Sequence, residues 1–305
     1  MKKSAYTFKQ WLKPVGLAAI VLTMGWGAAA HAETADSQPA QRDSIALSPV
    51  SQRFELKAGD QATNKVTVIN DGNTNAVFVV YARPYSIKNE AYEPEFEKTS
   101  KSTDIYQWIE FEKTSYTLKA GERVDIPYEF KVPATAAPGG HYGVVFVETQ
   151  PEPGTNDSVV RKKRIGSIIM VTVDGGIIKK GSTLDTSVKF WQTIAPLVGA
   201  SRVENTGNAD FSANVTMTVT DMLGSIKFRE VKDYVVYPDT IRRIPVSWQN
   251  APWFGLFKVE YKTVVLDKAT NSSNYVLMLP RWLAAIGLVL VVLGAGYALI
   301  RRKRR

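Results

Sequence analysis

The chain has 305 residues, a formal net charge of +9 and no cysteine. That length holds about two ordinary domains. The missing thiols exclude disulfide scaffolds, thiolate zinc sites and cysteine nucleophiles. The charge is not a field for nucleic acid. Four lysines near the start (Lys2, Lys3, Lys9, Lys13) and the five closing residues Arg301-Arg302-Lys303-Arg304-Arg305 account for all of it, so residues 33–300 sum to zero.

Taken in chain order, residues 1–32 have the form of a signal peptide. A basic start is followed by the apolar stretch Val15 to Thr23 and by Ala30-His31-Ala32, a small-x-small cleavage signal. Residues 33–44 are polar and read as a tether. Strand patterns follow: Asn64 to Asn70, Ala76 to Arg83, Ile105 to Phe111, Arg123 to Val132, His141 to Thr149 and Ile165 to Asp174. Gly175-Gly176 offers a hinge. A second series runs through Leu184 to Trp191, Val198 to Asn205, Phe211 to Thr220, Ile226 to Val235, Thr240 to Trp248, Leu256 to Leu266 and Tyr275 to Leu279. Short strands with turn signals about every 8–15 residues predict two tandem immunoglobulin-like β-sandwiches, at 45–175 and 176–280, in an all-β ectodomain. A weak repeat supports duplication: Val68-Ile69-Asn70-Asp71-Gly72-Asn73 matches Val203-Glu204-Asn205-Thr206-Gly207-Asn208, and Ala120 to Pro127 resembles Pro238 to Pro245.

Residues 281–300 end the series as a single transmembrane helix. Trp282 to Ile300 carries no charge and measures about 28 Å as a helix, matching the hydrocarbon core. The basic tail 301–305 predicts a cytoplasmic C-terminus, with everything before Trp282 outside the cell membrane. Leu279-Pro280-Arg281 begins like a wall-sorting signal, but Trp282 and Leu283 stand where Thr-Gly is required, so the helix is expected to persist as the anchor. With strands alternating in direction, the loop Gln150 to Lys163 falls at the outer tip of the first sandwich, and Asn250 to Gly255 next to the bilayer.

Catalytic machinery is not expected. Once the signal peptide leaves, His141 is the one histidine, at the start of an apolar strand and without a nucleophile elbow. No cofactor is implied. Asp71-x-Asn73-x-Asn75 opens like a calcium loop, but Ala76 and Ala82 fill the glycine and glutamate positions, so a hairpin turn is expected. Glu90, Glu93, Glu95 and Glu97, with Tyr92 and Phe96, predict a solvated connection.

Two sites remain as candidates. Arg161, Lys162, Lys163 and Arg164 form a candidate ligand contact for anionic wall polymers; charge guarding a strand edge is the alternative. Trp253 and Phe254 are candidate membrane-proximal contacts, although the expectation is that they cap the sandwich core.

Ser48-Pro49, Phe54 to Gly59, Val66 to Asn70, Pro138 to Phe146 and Arg164 to Ile168 together resemble the peptidoglycan-binding domain of WxL-interacting proteins. The layout of signal peptide, two sandwiches, helix and basic tail fits as well. The resemblance implies a non-enzymatic, membrane-anchored surface protein. Its first domain would engage peptidoglycan and its second a surface protein. The alternative is a structural accessory of an envelope or secretion assembly.

Overall fold

The computed structural model describes residues 44–151 and 162–303; the signal segment, Arg161 and the last two residues lie outside them. The first set of strands is β1 (Ile45–Ser48), β2 (Ser51–Leu56), β3 (Gln61–Asn70), β4 (Ala76–Pro84), β5 (Ser86–Ile87), β6 (Pro94–Glu95), β7 (Ile109–Phe111), β8 (Ser115–Leu118), β9 (Arg123–Lys131), β10 (Gly139–Gln150) and β11 (Arg164–Val173). The second is β12 (Gly181–Val188), β13 (Trp191–Gln192), β14 (Leu197–Asn205), β15 (Phe211–Asp221), β16 (Ile226–Val236), β17 (Thr240–Trp248), β18 (Gly255–Val265) and β19 (Lys268–Met278). One helix, α1 (Arg281–Lys303), closes the chain.

Each set makes two facing sheets. In the first sandwich the orders are β1-β3-β9-β7 and β2-β11-β10-β4-β8; in the second, β12-β14-β17 and β13-β19-β18-β15-β16. The correspondence is strand for strand. It extends to the opening segment of each sandwich, which pairs antiparallel in one sheet (β1 with β3, β12 with β14) and then crosses to run parallel in the other (β2 with β11, β13 with β19). The first sandwich differs by an insertion between β4 and β8, which contains β5, β6, a 3-10 turn (Asp104–Gln107) and β7.

Alternation builds both cores, because successive side chains on a strand point to opposite faces. Val66 and Val68, Val145 and Val147, and Ile169 and Val171 meet inside the first sandwich. Val215, Met217 and Val219 meet Val259 and Tyr261 inside the second. Each such side chain, fully buried, contributes about 1.5–3 kcal/mol.

The repeated asparagine has a structural job. Asn70 and Asn205 are both buried at the end of their strands. Asn70 accepts from Gly72 N (3.0 Å) and donates to Thr74 O (2.7 Å); Asn205 accepts from Gly207 N (2.9 Å) and donates to Ala209 O (2.9 Å). Each also donates to the end of the neighbouring sheet's strand, at Leu118 O or Val236 O. One buried amide thus fixes the following turn and ties two sheets together, and Asp71 to Asn75 form that turn.

Several elements differ from expectation. Ile105 to Phe111 is a 3-10 turn followed by a three-residue strand, because Ile105 and Trp108 bury one face at helical spacing. The last strand begins at Lys268, not Tyr275, since its polar first half is held by main-chain pairing with β18. Gly175-Gly176 is no free hinge. Both take positive φ, but Gly176 O accepts from Asn208 Nδ2 at 3.0 Å. The helix runs through Arg301, Arg302 and Lys303, and it is long and apolar enough to cross a membrane.

Candidate functional site

The two sandwiches meet through three groups of contacts. The first centres on Asp210, in the turn that Asn205 holds. Its carboxylate, almost fully buried, accepts from Arg53 Nη2 (2.7 Å), Arg53 Nη1 (3.1 Å) and the Tyr142 hydroxyl (2.9 Å). The same hydroxyl accepts from Asp210 N at 3.2 Å. A planar guanidinium gripping a carboxylate at two points is the strong form of this contact. Asp210 holds the Arg53 guanidinium above its usual range, while burial, then Asp210, push the Tyr142 phenol up.

Asn208, two residues earlier, uses every polar atom. Its carbonyl accepts from Gly140 N (2.7 Å), its side-chain oxygen from Ile178 N (2.7 Å), and its Nδ2 donates to Pro138 O (3.1 Å) and Gly176 O. A Cβ at Gly139 (φ +124°) would stand 2.4 Å from Asn208 O, so this approach requires glycine.

The third group comes from the insertion. Glu90 O accepts from Arg243 N at 2.9 Å, and its carboxylate is gripped at two points by Arg202, with Nε at 2.7 Å. Arg202 also bonds Asp185 at 2.7 Å. The Tyr92 hydroxyl accepts from Tyr237 N (2.9 Å) and lies 2.8 Å from Thr240 Oγ1. Tyr237 packs against Tyr142, Tyr85 and Tyr92, with ring centroids 4.7, 5.7 and 5.9 Å apart. Arg242 sits 4.0 Å from the Tyr92 centroid, its guanidinium lowered by burial. The acidic loop is therefore not the solvated connection expected. Glu90 and Tyr92 dock it on the second sandwich; the partners lie about a hundred residues or more along the chain, beyond any local pattern.

The strand register gives each sandwich two ends. β10 leaves the junction at Gly140 and reaches the far end of the first sandwich at Gln150, beside the β3–β4 turn. The described members of the basic cluster lie at this tip. Lys162 Nζ is 3.7 Å from Glu148, Lys163 N donates to Thr149 Oγ1 (2.9 Å), and the Arg164 guanidinium covers the Phe146 ring at 4.5 Å. Arg161 lies outside the described residues. Arg164 is thus committed to packing, while Lys162 and Lys163 stand at the tip, at the same end of the sandwich as Lys119.

At the opposite extreme, β19 ends at Met278 opposite Gly255 and Gln192, and α1 begins three residues later. Trp253 and Phe254 stand here, 59% and 57% exposed. The expected core cap is wrong: Trp248 packs edge-on against Phe257 at 5.5 Å nearby, and Phe257 is buried with the core.

His141 is buried. Its Nδ1 lies 2.8 Å from Asp104 Oδ1, and its Nε2 lies 2.8 Å from Ala137 O. In a hydrolase triad the second nitrogen would face a hydroxyl; here a carbonyl fills that place. The ring joins the insertion to the β9–β10 loop and packs 4.6 Å from Trp108.

No family model and no curated protein matches this sequence. Among solved structures, the class 5 fimbriae chaperone CfaA is similar over 77% of this chain and 100% of its own, at 12% identity and a TM-score of 0.38. The CsuC–CsuE chaperone–tip adhesion subunit complex from archaic Csu pili of Acinetobacter baumannii is similar over 76% and 98%, at 11% and 0.39. The Escherichia coli chaperone DraB is similar over 77% and 97%, at 13% and 0.36. Identities this low fix nothing about activity.

Proposed function

We propose that this chain is a non-enzymatic binding protein of the cell surface, anchored by α1 and holding an envelope component at the outer tip of its first sandwich. The observation that carries the reading is the repeat. In the second sandwich, the Thr206–Asp210 turn and Tyr237 hold a protein surface, the first sandwich. The corresponding turns of the first sandwich, Asp71 to Asn75 and Lys119 to Glu122, stand at the tip and are largely exposed. The same framework that grips one surface inside the molecule presents the equivalent loops outward, beside Lys162 and Lys163.

The component is wall glycan, as the resemblance to WxL-interacting proteins implies, or a surface protein. A scaffold reading has its own support: β13 flanks β19 only at Leu277 and Met278, so among the described strands none pairs with the outer edge of Lys268 to Val276. Such an edge accepts an added strand.

Photo-crosslinking in cells tests the reading. A benzophenone side chain at Asn75 or Lys162 should give adducts, and a control at Asn271 on β19 should not. Adducts dissolved by a muramidase identify glycan, and discrete bands identify protein. Adducts at Asn271 alone favour the scaffold. None at the tip overturns the tip reading.

A further inference from the structure

We infer that the base of the second sandwich is a lipid-contacting collar: three loops seat their apolar tips in the headgroup layer around the start of α1. The inference rests on the anchored reading above and goes beyond it, since an anchor alone needs only the helix.

The register gathers the loops at one end. Asp221 pairs with Phe257, Gly255 with Met278, Gln192 with Met278, and Leu197 with Trp248. The turn after β15, the loop before β18 and the segment between β13 and β14 therefore share the end from which α1 leaves. Their tips are Leu223, Trp253, Phe254 and Ile194, with Leu223 92% and Ile194 71% exposed. Trp253 and Ile194 line an open notch together with Pro280, Arg281 and Trp282. Exposed single apolar residues are ordinary, but a contiguous set at one end marks a contact surface.

Covalent geometry names the occupant. Only Leu279 and Pro280 separate β19 from α1, so Met278 and Arg281 lie at most about 11 Å apart. That exit is held as well: Leu277 N donates to Phe190 O (2.6 Å), Leu279 N to Gln192 O (2.9 Å) and Trp191 Nε1 to Leu279 O (2.7 Å). With Trp282 to Ile300 filling the hydrocarbon, Trp282 lies at its boundary, and the headgroup layer beyond is about 5–8 Å deep. The connection is comparable to that depth, and Trp253 and Ile194 share their notch with Trp282 itself, so these tips stand at the level of the headgroups. Loops confined there gain from tryptophan, phenylalanine and leucine at their tips, because an interfacial aromatic keeps a polar edge wet and an apolar face dry.

The chain's lack of cysteine makes the test direct. Full-length Leu223→Cys, Phe254→Cys, Asn271→Cys and Leu290→Cys carry one nitroxide each and are placed in phosphatidylcholine–phosphatidylglycerol vesicles. Collision with oxygen, which partitions into lipid, is compared with collision with a water-soluble nickel chelate. Leu290 should show the highest oxygen-to-nickel ratio. Leu223 and Phe254 should lie severalfold above Asn271. Ratios at Leu223 and Phe254 equal to that at Asn271, with Leu290 high, overturn the collar and keep the anchor. A water-like Leu290 overturns the anchored reading itself. Spin–spin broadening at Leu223 or Phe254 that vanishes on dilution with unlabelled protein assigns the patch to a second copy, and also overturns the collar.

Discussion

The connection between β4 and β8 in the first sandwich and that between β15 and β16 in the second leave the same place in the repeat, yet they are built oppositely. The first spans residues 85–114 and carries Glu90 and Tyr92 onto a protein surface, where their polar atoms find partners. The second is the tight turn Asp221 to Ser225, held by Asp221 Oδ1 accepting from Leu223 N and Ser225 N, and it exposes Met222 and Leu223. The connection facing protein is rich in tyrosine and carboxylate. The equivalent end facing away from the protein is apolar with no partner among the described residues. Composition at equivalent positions of a duplicated fold reports what covers each end.

The largest effect should come from breaking the protein-facing end. Asp210→Ala leaves Arg53 half-buried without its carboxylate and removes the carboxylate acceptor of the Tyr142 hydroxyl. We expect a loss of about 2–4 kcal/mol in urea unfolding, with faster amide exchange at Gly140. An unchanged unfolding curve would mean that Asn208 and the insertion join the sandwiches without the Asp210 carboxylate.

Acid sharpens the same comparison. Arg202 holds the Glu90 carboxyl below its ordinary value of 4.5, chiefly by hydrogen bonding. A carboxyl lowered in the folded state contributes stability that is complete above its ordinary value and disappears as the pH falls through the lower folded one. The thermal midpoint of Glu90→Gln should therefore lie below that of the parent at pH 6. The gap should begin to close as the pH drops beneath about 4.5 and vanish only below the lower folded value. A gap that persists unchanged at pH 3 would assign the loss to packing.

The smallest effect belongs to the other end. Trp253→Ser in detergent should stay within about 0.5 kcal/mol of the parent. A core tryptophan truncated to a small side chain would cost about 3–5 kcal/mol.

The sandwiches were legible because alternation is local. Phe211 to Asp221 buries every second residue from Phe211 to Val219, and the paired asparagines mark the end of the same strand twice. What stayed illegible depends on distance. β2 is a short strand with no fully buried residue whose parallel partner lies over a hundred residues on, and the first half of β19 has no apolar face to betray it. The insertion's grip on Arg202 and Tyr237 was hidden for the same reason; tyrosines at 85, 92, 142 and 237 were its sole trace in the sequence. Trp253 misled because an exposed aromatic and a buried one have identical local context.

The two-residue exit from β19 also has a mechanical consequence. A joint of Leu279 and Pro280, clamped from both sides, is not a swivel, and the junction above is welded at three places. On the anchored reading proposed above, lean in the helix, about 20° for an average membrane span, is transmitted through both sandwiches as through a lever. The far tip of the first sandwich would then sweep an arc set by the thickness of that membrane.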